Sequence, residues 1–498
     1  FLPKDEAKDE ETFLPDDEYS ILKASLNHRK RDYEGFAPDL DYALFDPEQV
    51  EMQEVPAKER KSSFIEQVKG YNEDQAKRES ARCLECKLCE DACPAHLKIS
   101  DYVQAINEGD NEKALRTIFE DNPLPAICGR ICMKHCEDAC SLGLRGAAGA
   151  IRWLKRYAAD QVSDYQKLGI KPGEPTGKSV AIVGGGASGL SMAYFLRLKG
   201  HDVTVFDSLP AGGGMLRVGP PRYRLPEEAI DKDVDFIASL GVDLRFNTKV
   251  GDDLPFEDLL RDHDAVYVSV GLNQSRTAHI ENEDRAVMAL EFLEDTKFGD
   301  PPEVAPKIIV VGGGNVAMDV ARTCVRLQQM QYPDGETLTQ TVSLEDWDEL
   351  PASDEEVEEA QEEGVVFNPA WGPEKIVIEN DQIVGLDCKA VKSVFDEDGR
   401  FNPSFYEDKT KRLEGDMVIE AIGQSYDLSF IPEEMMDQLE FTERRKVKID
   451  ENGMTSLEGV FAGGDIVNHN MDAVTAIADA KRACEGIHKV LSGEQKDS

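Results

Sequence analysis

Two runs of cysteine, Cys83, Cys86, Cys89, Cys93 and then Cys128, Cys132, Cys136, Cys140, hold eight of the eleven cysteines in this chain. Two iron–sulfur centres with four thiolates each need that number. The first run, CLECKLCEDACP, has the C-x2-C-x2-C-x3-C-P spacing of bacterial two-cluster ferredoxins, in which the fourth cysteine ligates the other cluster. The second run is therefore required by the first, and the chain is expected to carry electrons singly. Structural zinc also takes four thiolates, and a disulfide framework is another use of many cysteines; the ferredoxin spacing favours iron. Cys324, Cys388 and Cys484 are scattered, and each is expected to be an ordinary buried thiol.

A chain of 498 residues is too long for one core and implies several domains. Its formal charge of −42 would repel nucleic acid and anionic membrane, so nucleic-acid binding is not expected. Neither a charged-then-apolar leader nor an apolar run of about eighteen residues is found, so a cytoplasmic location without direct membrane insertion is expected. The chain opens on Phe1 rather than methionine, and this reading holds only for the residues given.

Residues 1–60 are acidic and contain a near-repeat, Phe1-Leu2-Pro3 and Phe13-Leu14-Pro15, which reads as an extended arm, either disordered or strapped onto a partner. From 61 to 170 apolar residues recur at helical intervals around the cysteines. The breaker-rich stretch Lys171 to Gly177 marks a linker. Beyond it, strand and helix patterns alternate in two rounds, each opening on a glycine fingerprint, which argues for two doubly wound α/β domains.

The first fingerprint, Gly184-Gly185-Gly186-Ala187-Ser188-Gly189, stands between the apolar strand Ser179 to Val183 and a helical pattern. Gly184 suits the tight turn, Gly186 the approach of a pyrophosphate and Gly189 close helix–strand packing, while the helix N-terminus offers positive charge. Asp207, ending the next strand, is placed to accept ribose hydroxyls. The second, Gly312-Gly313-Gly314-Asn315-Val316-Ala317, has alanine at its third position, as the motif permits. Two dinucleotide sites imply a flavin in one and a nicotinamide cofactor in the other.

With the phrases Gly212-Gly213-Gly214-Met215-Leu216-Arg217, Tyr223-Arg224-Leu225-Pro226, Glu420-Ala421-Ile422-Gly423-Gln424 and Val460-Phe461-Ala462-Gly463-Gly464-Asp465, the chain resembles the glutamate synthase small-subunit family from about Arg60 to Leu491. That family also includes the large subunit of NADH-dependent ferredoxin:NADP oxidoreductase and the N-terminal half of dihydropyrimidine dehydrogenase. The resemblance implies an α/β fold with two Rossmann-like domains of glutathione-reductase type, FAD-binding (178–284 and 425–498) and NAD-binding (285–424), behind a helical domain (61–170) with two [4Fe-4S] clusters. It implies that FAD is held by Gly184, Gly186, Ala187, Ser188, Gly189 and Asp207, by Gly213, Met215, Leu216 and Arg217, by Gly271, Gly423 and Gly464, and by Asp465. A helix starting near Val474, Thr475 and Ala476 would aim its amides at the flavin. Gly312, Gly314, Asn315, Val316 and Ala317 would hold the nicotinamide dinucleotide.

NADPH-using relatives carry two arginines after the second fingerprint's next strand, where Leu344 and Glu345 stand here. A carboxylate accepts from a free 2′-hydroxyl and repels a phosphate, so NAD(H) is expected over NADP(H). The segment Gln328 to Gln340 is longer than the family leads one to expect. The resemblance also pairs Cys83, Cys86 and Cys89 with Cys140, leaving Cys93, Cys132 and Cys136 for the second centre. Several relatives complete that set with Gln or Glu at the position of Lys155; an ammonium is no ligand, and Cys128 is expected instead. No acid, base or nucleophile for an organic substrate is recognised. The expected function is an NADH-dependent subunit passing electrons between NAD(H), FAD and two [4Fe-4S] clusters, to or from ferredoxin or a hydrogenase, formate dehydrogenase or similar redox subunit. The alternative is the glutamate synthase small subunit. No residue type marks whether the flavin bifurcates its electron pair, and the sequence leaves that role open.

Overall fold

A computed structural model describes residues 46–144 and 146–493. The near-repeat at Phe1 and Phe13, and most of the expected arm, lie outside the described residues. Residues 46–60 pack against the rest of the chain. Asp46 pairs with Arg78, Val50 N–H donates to Glu79 Oε2 at 2.7 Å, and Arg60 is buried.

The cysteine-bearing region is helical because its helices are individually capped and amphipathic. Asn72 and Gln75 form a reciprocal capping box at the start of Glu73–Ala81, both bonds 2.9 Å. Asp110 caps Asn111–Phe119, and Pro125 opens Pro125–Ile131, where its missing N–H costs nothing. Ile99–Asn107 buries Ile99, Tyr102, Val103 and Ile106. These side chains continue without a break into the core of the following α/β unit. Phe119, for example, stacks on Phe236 with ring centroids 4.8 Å apart, and Tyr194 Oη donates to its carbonyl.

The first α/β unit is a parallel sheet ordered β15-β4-β1-β2-β3, from β1 (Ser179–Val183), β2 (Asp202–Phe206), β3 (Asp243–Arg245), β4 (Ala265–Val268) and β15 (Val460–Ala462). The second is ordered β6-β13-β7-β8-β9, from β6 (Val287–Met288), β7 (Lys307–Val311), β8 (Leu338–Val342), β9 (Val366–Asn368) and β13 (Met417–Glu420), again all parallel. Runs such as Val-Ala-Ile-Val and Ile-Ile-Val-Val suit strands covered on both faces. An antiparallel sheet of β10 (Trp371–Glu379), β11 (Gln382–Phe395) and β12 (Phe401–Glu414) is appended to the second unit. The chain crosses between the units twice, and the crossings pair as a short ribbon of β5 (Gln274–Ser275) and β14 (Gln424–Ser425). In the Gln328 to Gln340 segment, helix Asn315–Gln331 runs through the start and β8 begins at Leu338, so the connection itself is only residues 332–337. No helix among the described residues is long and apolar enough to cross a membrane.

Candidate cofactor and iron–sulfur sites

Cys83, Cys86, Cys89 and Cys140 line one cavity, walled by Leu84, Ile99, Val103 and Leu154. Cys93, Cys128, Cys132 and Cys136 gather separately around Lys155. Among the described residues, no three His, Cys, Asp or Glu side chains close to the spacing of a single ion. Cys83, Cys86, Cys89 and Cys140 share the walls of one cavity. Lys87 and Lys134 hold left-handed backbone, φ 65° and 64°, just before the short helices Leu88–Ala92 and His135–Asp138. Strain of this kind in non-glycine residues persists where surrounding structure enforces it, and here it turns the chain around the thiols. Cys128 sits on Pro125–Ile131, whose amides at Ala126 and Ile127 donate to Asp233 at 3.3 and 3.0 Å. Asp233 belongs to helix Glu227–Ser239 of the first α/β unit, so that unit fixes the helix carrying a candidate ligand. This contact joins residues remote in the chain and so leaves no local signature.

In the first fingerprint Gly184 has φ +101°, and a Cβ on Gly189 would fall 1.9 Å from Gly184 O. At Gly186 an added Cβ would make only ordinary contact, with Gly214 Cα at 3.9 Å and Gly213 O at 4.0 Å. Helix Ala187–Leu198 begins there, with Ala187 and Ser188 in its first turn. This cradle has the shape and the dipole for a pyrophosphate. Asp207 closes it, accepting from Gly185 N at 2.6 Å and Leu209 N at 2.8 Å, with lone pairs left over for ribose hydroxyls. Burial pushes its carboxyl upward. Gly213 N–H donates to Gly185 O, seating the Gly212–Gly214 run on the turn, and Met215 and Leu216 follow in the short helix Met215–Val218. Arg217 is buried with them, but its guanidinium donates to Gly212 O at 2.6 Å and pairs with Asp231. It therefore braces the glycine run and has no donor directed at a cofactor through those bonds.

The far wall comes from the chain's last segment. A Cβ on Gly464 would lie 3.0 Å from Ser188 Cβ and 3.9 Å from Ala476 Cβ, which places Gly464 between the fingerprint helix and helix Ala473–Ser492. Asp472 caps that helix by accepting from Thr475 N, and Val474 and Thr475 are buried in its first turn. Burial pushes Asp465 up to about 6. Gly271 and Gly423, both at positive φ with nothing within 4 Å of an added Cβ, stand in the loops leaving β4 and β13. Such crevices at the carboxyl ends of parallel strands are where doubly wound folds bind ligands.

The second fingerprint repeats the design. A Cβ on Gly312 would fall 2.3 Å from Ala421 O, Gly314 is open, Ala317 is fully buried, and Asn315 and Val316 start helix Asn315–Gln331. Asn315 Oδ1 accepts from Ser353 N, holding the Leu350 to Ser353 segment over the turn. Glu345, just beyond β8, brings its Oε2 to 3.3 Å from a Cβ built on Gly313. The carboxylate thus stands beside the glycine turn, where a ribose of a bound dinucleotide would lie.

Residues 60–167 match the family described as dihydropyrimidine dehydrogenase domain II, 4Fe-4S cluster, and residues 178–480 match pyridine nucleotide-disulphide oxidoreductase. The chain is 36% identical over 432 residues to the NADP(+)-dependent formate dehydrogenase subunit beta of Moorella thermoacetica, covering 81% of this chain and 60% of that protein. It is 34% identical over 483 residues to the glutamate synthase [NADPH] small chain of Escherichia coli, covering 90% and 98%. Among solved structures, FprA from Mycobacterium tuberculosis in complex with NADPH aligns with a TM-score of 0.53 at 17% identity, covering 65% of this chain and 86% of that one. That likeness concerns the fold alone. The chain belongs to the pyridine nucleotide-disulphide oxidoreductase family, in the form that joins a 4Fe-4S domain to FAD- and NAD(P)-binding units, and has the glutamate synthase small chain among its relatives.

Proposed function

We propose that this chain is the NADH-handling subunit of a larger redox enzyme, exchanging electrons between NAD(H), FAD and two [4Fe-4S] clusters and passing them to or from a partner polypeptide. FAD, when bound, exchanges an electron pair with nicotinamide, and iron–sulfur centres carry electrons one at a time. The observation that carries the reading is that the thiol-bearing helices share one core with the first dinucleotide unit, through Asp233 and the Phe119–Phe236 contact. In this reading residues 61–170 hold the clusters, 178–284 with 425–498 hold FAD, and 285–424 hold the nicotinamide dinucleotide. Gly186 admits the FAD pyrophosphate, Asp207 holds a ribose, and the N-terminus of Ala473–Ser492 presents amides to developing negative charge. Cys83, Cys86, Cys89 and Cys140 hold one cluster, and Cys93, Cys128, Cys132 and Cys136 the other. The Moorella relative, named as a formate dehydrogenase subunit, supports a partner redox subunit. The near-complete coverage of the Escherichia coli small chain favours glutamate synthase as a second reading. Copurification with a large amidotransferase subunit would select the second. In anaerobic stopped-flow mixing with NADH, the flavin band is expected to bleach first and the broad iron–sulfur absorbance afterwards. Bleaching of flavin with the clusters left oxidised would refute electron transfer through this chain.

The preference for NADH rests on Leu344 and Glu345, although the relatives named above are NADP-dependent. Charge-assisted hydrogen bonds contribute about 1.5–3 kcal/mol, so replacing both residues by arginine is expected to shift the NADPH-to-NADH ratio of kcat/KM toward NADPH by roughly 10- to 100-fold. An unchanged ratio would remove Glu345 from the ribose site.

A further inference from the structure

Helix Ile151–Gln161 carries three buried cations, Arg152, Lys155 and Arg156. Arg152 pairs with Glu355 at 2.7 Å, and Arg156 with Glu66 at 2.9 Å and Asp160 at 3.2 Å. Lys155 is only 3% exposed and makes no ion pair with a carboxylate among the described residues. Sulfur faces it instead, from Cys132, Cys128, Cys136 and Cys93. The approach is close because Gly129 abuts Arg156, and a Cβ there would fall 2.6 Å from Arg156 Cα. One residue back along each helix, Cys128 and Lys155 are brought together.

A buried ammonium requires negative charge beside it. Neutral thiols do not supply it, whereas four thiolates around an iron–sulfur core do, and they do so more strongly when the core gains an electron. The other thiol set has a different setting. Carboxylates stand near both sets, Glu85 and Glu90 by Cys83 and Cys89, and Glu137 and Asp233 by Cys136 and Cys128, so the difference between the sets is the buried ammonium.

We propose that Lys155 is a positioning charge that raises the reduction potential of the centre held by Cys93, Cys128, Cys132 and Cys136 and makes it the electron sink of the pair. This rests on the reading of two four-thiolate centres given above. The step is the entry of one electron from the NADH-reduced flavin; no bond forms and the ammonium keeps its proton. Exchanging the family's Gln or Glu for lysine moves the fourth ligand to Cys128 and frees position 155 for a cation.

The test uses the full chain, prepared without oxygen, as wild type, Lys155→Met and Lys155→Arg. Methionine is chosen over glutamine because glutamine could itself ligate. Iron and acid-labile sulfide are counted first, and the midpoints of both centres are then read by EPR-monitored potentiometry. With Lys155→Met we expect full iron and, at one centre only, at least a tenfold fall in the reduced-to-oxidised ratio at fixed poise, which is about 59 mV for a one-electron couple. Lys155→Arg is expected to keep the wild-type midpoint. Full iron with both midpoints unmoved in Lys155→Met overturns the proposal. If Lys155→Met loses half its iron, Lys155→Arg decides: full iron at the wild-type midpoint supports a requirement for charge, and any other result overturns it. A wild-type chain with iron for fewer than two centres would instead strike down the underlying two-centre reading.

Discussion

Cys128→Ala is expected to halve the iron and acid-labile sulfide of the anaerobically prepared chain, while the signal of the centre at Cys83, Cys86, Cys89 and Cys140 survives. Cys128 has no solvent exposure, and burial pushes its thiol up to about 12. Free of metal it is therefore a neutral thiol, and it becomes a thiolate only when iron displaces the proton. Truncation removes that ligand from a helix already pinned at its start by Asp233, so the backbone has little freedom to offer a substitute. The loss reaches further than one ligand, because Lys155 then lies buried beside fewer negative charges. A fall in melting temperature should accompany the loss of iron. Full iron content in this variant would show that Cys128 is a bystander.

The second large effect is expected far from any cofactor. Arg322 is fully buried, and its guanidinium reaches Glu356 at 3.0 Å, Glu363 at 2.9 Å, and Glu359. Arg326 and Arg60 converge on the same Glu363, the latter at 2.9 Å, and Arg326 lies 3.6 Å over the Tyr223 ring. Arg224 bridges Asp319 at 2.7 Å and Glu356. Arg322→Ala would leave three buried carboxylates undercompensated, at about 3–5 kcal/mol, since breaking a buried ion pair from one side costs far more than the intact pair contributes. Thermal unfolding would show this as a drop of several degrees. Within the network, Glu363 sets an acid limit of its own. Burial pushes Glu363 upward, but hydrogen bonds from Arg326 and the charge of Arg322 outweigh it and hold the carboxyl at about 2, below its ordinary 4.5. A depressed carboxylate contributes stability that is fully present above 4.5 and is lost as pH falls through about 2. Wild type and Glu363→Gln should therefore differ most near neutrality and converge in acid; equal stability at neutral pH would contradict the assignment.

Much of the site was legible because its chemistry is local in sequence. The glycine turns need particular residues at fixed offsets, and Gly184, Gly189 and Gly312 stand where no side chain fits. The cysteine spacing marks two runs, but the fold sorts the thiols across them: Cys140 of the second run lies with Cys83, Cys86 and Cys89, and Cys93 of the first lies with Cys128, Cys132 and Cys136, a grouping that came from the resemblance and not from the spacing. The buried ion network was not legible. Residues 354 to 363 are mostly acidic, with nothing local to mark which side chains are buried, yet Glu356, Glu359 and Glu363 turn inward to meet arginines, and Arg60 lies 303 positions from its partner Glu363. Arg217 is another case: its place in a family phrase suggests a cofactor contact, and its bonds to Gly212 O and to Asp231, fourteen positions on, add a bracing role that the phrase does not show.

The ribbon of β5 and β14 bears on how a dinucleotide comes and goes. Two adjacent crossings would by themselves allow one α/β unit to twist against the other, as a door turns on a narrow strip. Here the strip is overruled by the charges of Arg60, Arg152 and Arg224, which bind the far unit to both others away from the ribbon. Swinging that door would pull ion pairs apart in a dry interior. A dinucleotide would then come and go with the two units held in one relative orientation.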